Sequence, residues 1–494
     1  MNGLRVLITG GRAPCALDLA RAFAARGAEV YAAESLEHPL CAASRAVKRS
    51  FRVPPPAQDP AGYAAALRDI VRREGIGLLL PTCEEIFYVS AYRGSFGPDC
   101  RVLAPPLGTL RELHSKWAFI ALCARLGLAV PETVRLTFAD GAGGSAGDSG
   151  EVGGDAEEGR EAGSEAQWTG VAPSGAGESV GEGGAAPSEA LSGGGGRGSG
   201  REEARIEGRI PRTAPGDPAY VLKPEFSRFS AGVSRHGSLG EAREHARRAG
   251  GSWVAQRYAA GELLCTYGAA HEGRLLAHAA YRAPQTASGA SVCFEPDADP
   301  QVREWVVRFV ERTNFSGQLA FDFIRTEEGE LLPIECNPRA TSGVHLLLAP
   351  QAAGGGTSRG DAEHAELSAS GDRRRVPDLT DALARPDTVD AVILARPART
   401  PMLLLPMLGS GLGQLTRPRR FAGWLRDLRG SRDVLLRRGD ARVLPQALRM
   451  MLELRRRARS IGGSLSEASV ADIGWDGQPI GEEGIDGRAA RPND

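Results

Sequence analysis

Lysine is almost absent from this sequence, although basic residues are plentiful. Of the 60 basic side chains among the 494 residues, three are lysines, at positions 48, 116 and 223. Asparagine is similarly scarce and occurs at positions 2, 314, 337 and 493. A guanidinium group is larger, planar and hydrated differently from an ammonium group, so arginine cannot replace lysine at every site. The remaining lysines and asparagines are therefore the first positions to examine for chemistry.

Several other absences exclude whole classes of protein. No segment approaches the ~20 apolar residues that a membrane-spanning helix needs, and residues 1–10 lack the pattern of a signal peptide. The eight cysteines include no CxxC pair, so we expect a cytoplasmic protein with neither a zinc ribbon nor a redox motif. The net charge of −1 and the lack of aromatic residues among the arginine-rich stretches argue against nucleic acid and membrane partners.

Short apolar strands alternate with helical segments over the first hundred residues. Strands are predicted at 4–9, 29–33, 77–81 and 101–105, with helices at 14–26 and 60–74 between them. This alternation is typical of a parallel sheet built from βαβ units. The turn after the first strand contains Gly10 and Gly11 but no GxGxxG pattern, so a dinucleotide site is not expected. We predict an N-terminal α/β domain over residues 1–105.

The middle of the chain predicts an α+β domain over residues 106–350. Residues 115–126 form an amphipathic helical pattern, and a strand pair is predicted in GQLAFDFIR and ELLPIEC. Residues 140–218 are mostly Gly, Ser, Ala, Glu and Pro, which cannot bury enough surface to offset chain entropy. We therefore predict a disordered acidic insertion there, a low-complexity linker over 351–376, and a C-terminal helical extension over 377–494.

The predicted strand pair places acidic and amide side chains on one face. Strand alternation puts Asp322 on one face of the first strand, and Glu335, Asn337 and Arg339 on one face of the second. In adjacent antiparallel strands, the two carboxylates and the amide oxygen meet and form an oxygen ligand set that suits Mg²⁺ or Mn²⁺. Arg339 adds the planar charge that binds phosphate oxygens. A solvated hairpin would show the same alternation, but the flanking aromatic and apolar residues favour a lined cavity.

The motif ECNPR at 335–339, after a strand that contains Asp322, resembles the metal-binding end of the ATP-grasp superfamily. It is similar above all to the synthetase domains of the carbamoyl-phosphate synthetase large subunit. The resemblance spans residues 115–345 without the insertion, and the N-terminal layer resembles the domain that usually precedes this fold. It implies that Lys116 and Lys223 contact the α- and β-phosphates of ATP as compact point charges. Two of the three lysines thus match the family's two nucleotide lysines.

Two further segments are assigned to ATP binding through the resemblance alone. The run QRYAAGE resembles the family's hinge, and the residues implied to meet adenine and ribose are Gln256, Arg257, Tyr258 and Glu262. Residues 225–235 stand where the family has a glycine-rich phosphate lid, but a single glycine, Gly232, occurs there. Within that segment, Ser227 and Arg228 are the residues implied to meet phosphate.

Three residues are candidates for a substrate pocket. Glu84 and Glu85 follow a buried strand and open a helix, at the edge where parallel sheets bind their ligands. They would hold a substrate amino group, although acidic residues in a first helical turn also simply suit the helix dipole. His345, shortly after the ECNPR motif, is the third candidate.

The resemblance implies an ATP-dependent carboxylate–amine ligase. The γ-phosphoryl group would pass to a substrate carboxylate, and an amine would then attack the acylphosphate while Arg339 stabilises the oxyanion. The expected partners are a small-molecule carboxylate, an amine and, as is common in this family, a second copy of the chain. Phosphorylation of bicarbonate or carbamate, a regulatory ATP-binding module without chemistry, and an interaction protein with a structural ATP site remain as alternatives.

Overall fold

The order of the sheets confirms the predicted fold class. A parallel sheet comes first, two antiparallel sheets follow, and helices predominate at the C-terminal end. The computed structural model describes residues 1–138, 205–210, 219–228, 232–287, 290–351, 376–412, 414 and 416–480. Most of the predicted insertion, nearly all of the predicted linker and residues 481–494 lie outside this part of the chain.

The N-terminal layer is a five-stranded parallel sheet with the order β3-β2-β1-β4-β5. Its strands are β1 (Arg5–Thr9), β2 (Glu29–Glu34), β3 (Arg49–Arg52), β4 (Leu78–Leu80) and β5 (Arg101–Val102). Its helices are α1 (Pro14–Ala25), α2 (Pro60–Glu74), α3 (Glu85–Ala91) and α4 (Leu107–His114). Alternate residues of β1 enter two cores: Ile8 packs with the α1 side, and Leu7 packs with α2 and α3. The sheet is therefore covered on both faces.

The second sheet is antiparallel and has the order β7-β6-β10-β8-β9. Its strands are β6 (Thr133–Phe138), β7 (Arg205–Ile210), β8 (Tyr220–Pro224), β9 (Ser234–His236) and β10 (Gly251–Arg257). Helix α5 (Lys116–Arg125) precedes it, and α6 (Leu239–Ala249) covers it through Ala242 and Ala246. Residues 205–210 fall within the predicted insertion. They pair with β6, and those backbone hydrogen bonds are invisible to composition averaged over a long window.

The third sheet is also mainly antiparallel, with the order β15-β12-β11-β16-β17, and β18 pairs in parallel with β12. Its strands are β11 (Glu262–His271), β12 (Arg274–Arg282), β15 (Glu295–Asp297), β16 (Gly317–Arg325), β17 (Leu331–Asn337) and β18 (Ile393–Leu394), and a separate pair comprises β13 (Thr286–Ala287) and β14 (Ala290–Ser291). Helix α7 (Pro300–Thr313) packs on it through Trp305, whose ring lies 5.0 Å from Phe321. Helix α8 (Val344–Leu348) follows β17.

The C-terminal extension packs back on the N-terminal layer. Its elements are α9 (Leu379–Ala384), β19 (Thr400–Met402), α10 (Leu404–Leu412), α11 (Pro418–Gly430), β20 (Ser431–Asp433), α12 (Val443–Ile461) and α13 (Leu465–Ala468). Arg21 in α1 contacts Asp440 at 2.8 Å, and Gln446 in α12 donates to the Pro39 carbonyl at 3.2 Å. No helix in the described part of the chain is long and apolar enough to cross a membrane.

A buried ion network fixes the end of the extension to the carboxyl edge of the parallel sheet. Arg12 follows the Gly10–Gly11 turn, and its guanidinium lies between Glu34 and Asp472, with Nη1 2.6 Å from Asp472 Oδ1. The hydroxyl of Ser35 lies 2.7 Å from Asp472 Oδ2. Burial by itself would raise the pKa of Asp472, but the hydrogen bonds and charge of Arg12 lower it to about 2. The network thus holds an ionised carboxylate within the fold.

We expect Asp472→Ala to lower the free energy of unfolding by about 3–5 kcal/mol, because it leaves the Arg12 charge buried with one partner fewer. Asp69→Ala is the matched control. Asp69 pairs with Arg72 and Arg73 on the surface, where such pairs contribute about 0–1 kcal/mol. Urea unfolding of the three proteins at pH 7 measures the difference. The Asp472 contribution is present above its unfolded pKa of about 3.9 and is lost as pH falls through about 2. Equal losses in the two variants would contradict this interpretation.

Candidate active site

Two carboxylates face each other on neighbouring strands of the third sheet. In the antiparallel pair β16–β17, Asp322 stands directly opposite Glu335, and Asn337 stands opposite Ala320. A tight turn joins the strands, with the Thr326 N–H donating to the Glu330 carbonyl at 2.9 Å. Directly opposed residues share a face of the sheet, so the structure brings together the acidic pair that strand alternation predicts.

The two carboxylates carry opposite pKa shifts. Burial and the adjacent Glu335 raise the pKa of Asp322 well above its usual value. Burial would also raise the pKa of Glu335, but Lys116, the hydrogen bond from Asp322 and Lys223 lower it. The two shifts have opposite signs, as expected when two carboxylates lie close together and the nearby lysines stabilise the charge of one of them.

The oxygen donors fit a hard divalent cation only in part. Mg²⁺ is usually bound through one or two carboxylates together with substrate phosphates, and Asp322 and Glu335 supply such a pair. No group of three or more His, Cys, Asp or Glu side chains in the described ranges is arranged to hold a metal. Asn337, the third predicted ligand, presents its amide oxygen to Arg339 at 2.9 Å and its Nδ2 to Glu335 at 3.4 Å. The set of protein ligands in the described ranges is thus incomplete.

Two buried lysines lie beside the acidic pair. Lys116 begins α5, whose first turn is capped by Ser115, and Lys223 lies on β8; the residues are 4% and 7% exposed. Lys116 Nζ donates to the carbonyl and hydroxyl of Ser227 at 3.0 and 3.1 Å, and Lys223 Nζ donates to Gln256 Oε1 at 3.0 Å. Burial lowers the pKa of both lysines, that of Lys223 to about 8, while Glu335 and Asp322 oppose the shift. The structure therefore gathers both predicted nucleotide lysines around the carboxylates.

Glu225 is a buried residue of the site that the sequence analysis missed. It accepts hydrogen bonds from Ser115, from Ser252 at 2.5 Å and from Arg135 at 3.0 Å. Its backbone carbonyl accepts from the Lys116 N–H at 3.3 Å. Glu225 thus ties the start of α5 to the second sheet and sets the position of Lys116. The available signal was an acidic residue directly after the YVLKP strand, but acidic residues are too common for that signal to stand out.

Glu84 forms a second charged centre at the carboxyl end of β4. It is 1% exposed and pairs with Arg228, while Arg339 Nε lies 3.9 Å and His114 Nε2 lies 4.0 Å from its Oε1. Burial and the neighbouring cations, Lys116 among them, lower the pKa of His114 well below its usual value, so this imidazole is neutral. Two guanidinium groups and one carboxylate leave a net positive charge, which suits an anionic group.

Three further candidates have partners within the protein. Glu85 accepts from the Thr9 hydroxyl at 2.7 Å and from the Thr82 and Cys83 N–H groups, so it closes the turn after β4. His345 Nδ1 lies 2.7 Å from Asp18, a partner that only the fold reveals. Glu262 has a half-exposed side chain at the start of β11. It forms ion pairs with Arg282 and Arg325, both at 3.4 Å.

The predicted adenine hinge already uses two of its backbone donors. The Arg257 N–H donates to the Glu132 carbonyl, and the Tyr258 N–H donates to the Ala219 carbonyl, both at 2.8 Å. Gln256 is buried and faces Lys223. These two N–H groups are therefore engaged within the protein and hold the segment against its neighbouring strands. The contact of this segment with adenine stays a prediction.

No protein-family model and no curated protein matches the sequence. Solved structures with low similarity include an L-amino acid ligase from Bacillus licheniformis, with TM-score 0.44 and 12% identity, covering 70% of this chain and 69% of that one. An N5-carboxyaminoimidazole synthetase from Staphylococcus aureus has TM-score 0.44 and 10% identity, covering 69% and 72%. A biotin carboxylase from Campylobacter jejuni has TM-score 0.42 and 12% identity, covering 69% and 67%. Likenesses of this size leave function to be inferred from the chain's own residues.

The lowered pKa of Lys223 predicts a pH-dependent stability. Between pH 8 and 10.4 the unfolded state holds a proton that the folded state has lost, so the wild type gains about 3 kcal/mol across this window relative to Lys223→Met. Lys48→Met is the control, because Lys48 is exposed and its pairing with Glu29 raises its pKa. Urea unfolding at pH 7 and pH 10.5 tests this. Parallel pH curves for Lys223→Met and wild type would exclude a buried, perturbed ammonium.

Proposed function

We propose that this chain is an ATP-dependent ligase that activates a carboxylate as an acylphosphate and joins it to an amine. The observation that carries the proposal is the burial of Lys116 and Lys223 beside the opposed carboxylates Asp322 and Glu335. A site with two ammonium groups and an incomplete oxygen ligand set suits a polyphosphate that arrives with a divalent cation. The guanidinium groups near Glu84 add a place for a second anion. We infer that this second anion is the substrate carboxylate.

The two lysines would neutralise part of the negative charge of the phosphates. Lys116 would exchange its Ser227 acceptors, and Lys223 its Gln256 acceptor, for phosphate oxygens. Burial strengthens these contacts because the site is poorly screened by water. Asp322 and Glu335 would hold Mg²⁺ or Mn²⁺, which when bound neutralises phosphate charge and orients the phosphates.

Phosphoryl transfer then needs positioning more than covalent chemistry by the protein. Arg339 holds the substrate carboxylate near the phosphates, and Arg228, which contacts the same Glu84, meets the phosphates. One carboxylate oxygen forms a bond to the γ-phosphorus while the bond from that phosphorus to the bridging oxygen breaks, which releases ADP. The amine attacks the acyl carbon, loses a proton and displaces phosphate. Arg339 stabilises the negative oxygen that develops in that second step.

Glu335→Gln is expected to abolish substrate-dependent ADP release, because it removes one charge of the carboxylate pair and leaves the backbone pairing of β16 and β17 intact. The control is Glu328→Gln, an exposed residue in the turn of the same hairpin. ADP release with Mg·ATP and unfolding in urea are measured for both variants. Normal turnover in a folded Glu335→Gln protein would refute the metal assignment.

The class of substrate is tested with pooled carboxylic acids and amines, with and without bicarbonate. ADP release that requires an organic acid and an amine supports the ligase. Release that requires bicarbonate alone would replace it with bicarbonate or carbamate phosphorylation. ATP binding without release in any pool would favour a regulatory module.

With the substrate pool that supports ADP release, Arg339→Met should lower kcat roughly 10²-fold, which is the usual loss when an oxyanion donor is removed. Its effect on ATP affinity should be small. Arg308→Met, at an exposed position on α7, is the matched control. Unchanged kcat in Arg339→Met would remove this residue from the proposed chemistry. The comparison uses initial rates at saturating ATP.

A further inference from the structure

Residues 472–480, here termed the C-terminal strap, cross the N-terminal layer beside the candidate site. The Asp472 carbonyl accepts from the Ala57 N–H at 3.1 Å, and the Gly474 carbonyl accepts from the Tyr88 hydroxyl at 2.8 Å. The Gly477 carbonyl accepts from Arg111 at 3.4 Å. These bonds attach the strap to the segment before α2, to α3 and to α4. Its course is thus fixed by the layer that supplies Glu84.

Trp475 is the main side chain of the strap at this interface. Its ring stacks on Phe87 with centroids 4.8 Å apart and meets Phe226 edge-on at 5.2 Å. Its Nε1 donates to the Gln478 carbonyl at 2.6 Å, which fixes the ring within the strap. Phe226 directly precedes Ser227, the acceptor for Lys116, and Arg228, the partner of Glu84. The strap therefore contacts Phe226, the residue directly before the two that meet Lys116 and Glu84.

Gly477 completes the surface on which the Phe226 ring packs. A Cβ atom at Gly477 would lie 2.6 Å from Phe226 Cδ2, and the glycine has φ +94°, a conformation that other residues rarely adopt. The close approach of the strap to the ring thus depends on glycine. Phe226 is held by Trp475 and Gly477 together, and His114 lies 5.9 Å away, centroid to centroid.

We propose that the C-terminal strap positions residues 226–228 for ATP binding and that Trp475 is its positioning residue. Without the indole ring, Phe226 loses a packing partner, and Ser227 and Arg228 must be ordered when the ligand binds, which weakens affinity. The loss of one aromatic pair corresponds to a roughly three- to tenfold increase in the Kd for ATP. The expected change in the Kd for ATP rests on the proposed function. The expected change in the order of residues 225–228 is independent of that function.

The experiment compares Trp475→Ala with Trp424→Ala in the full-length protein. Trp424 is a matched control because it lies in the same extension, is buried to the same degree and donates its Nε1 to the Met407 carbonyl at 2.9 Å. It packs with Phe421 at 5.3 Å in a separate cluster. Amide hydrogen exchange over residues 225–228 is measured without nucleotide, and ATP affinity is measured by calorimetry.

We expect faster exchange over residues 225–228 and a weaker Kd in Trp475→Ala, with neither change in Trp424→Ala. Trp475→Phe should restore both, and combining Trp475→Ala with Phe226→Leu should add little to either single change. Unchanged exchange in Trp475→Ala, or equal changes in both tryptophan variants, would overturn the proposal. Altered exchange in a protein that binds no ATP would keep the positioning role and refute the proposed function. Should Trp475→Ala not fold, Phe226→Leu alone gives the same readout from the other side of the contact.

Discussion

The burial of opposite charges together is the constraint on which the candidate site depends. An isolated ammonium or carboxylate is costly to bury, and such groups shift their pKa towards neutrality unless they are paired. Lys116 and Lys223 are held beside Asp322 and Glu335, and the compensation is incomplete, since the pKa of each lysine is lowered and that of Asp322 is raised. The lysines and the carboxylates thus compensate one another only in part. Stored electrostatic cost of this kind is typical of functional sites.

The charged centre is assembled from parts of the chain that are far apart in sequence. Gln318 on β16 accepts from Tyr267 at 2.7 Å and donates to the Pro81 carbonyl at 3.3 Å, which joins the third sheet to the end of β4. That contact brings Glu84 to Arg339, and Arg228 reaches the same carboxylate from the second sheet. The carboxyl edge of the parallel layer is where ligands of such sheets bind. All three sheets therefore contribute a charge to one place.

The sequence predicted the features that depend on local periodicity. Alternation along two strands placed Asp322 and Glu335 together, and the scarcity of lysine drew attention to Lys116 and Lys223. It did not predict the contact between His345 and Asp18, because these residues lie far apart in the chain and no local pattern links them. For the same reason it did not predict the acceptors of the Arg257 and Tyr258 N–H groups, which are carbonyls of Glu132 and Ala219.

The position of the long low-complexity insertion explains how the fold accommodates it. Thr137 of β6 pairs with Arg205 of β7, so the chain on either side of residues 139–204, which make up most of the predicted insertion, meets at one strand pair. The cost of closing a loop grows only with the logarithm of its length, so a longer connection between paired strands adds little. Strand β7 is also at the edge of its sheet, with β6 and β10 between it and the strand of Lys223. The chain can therefore lengthen there without displacing the charged side chains of the site.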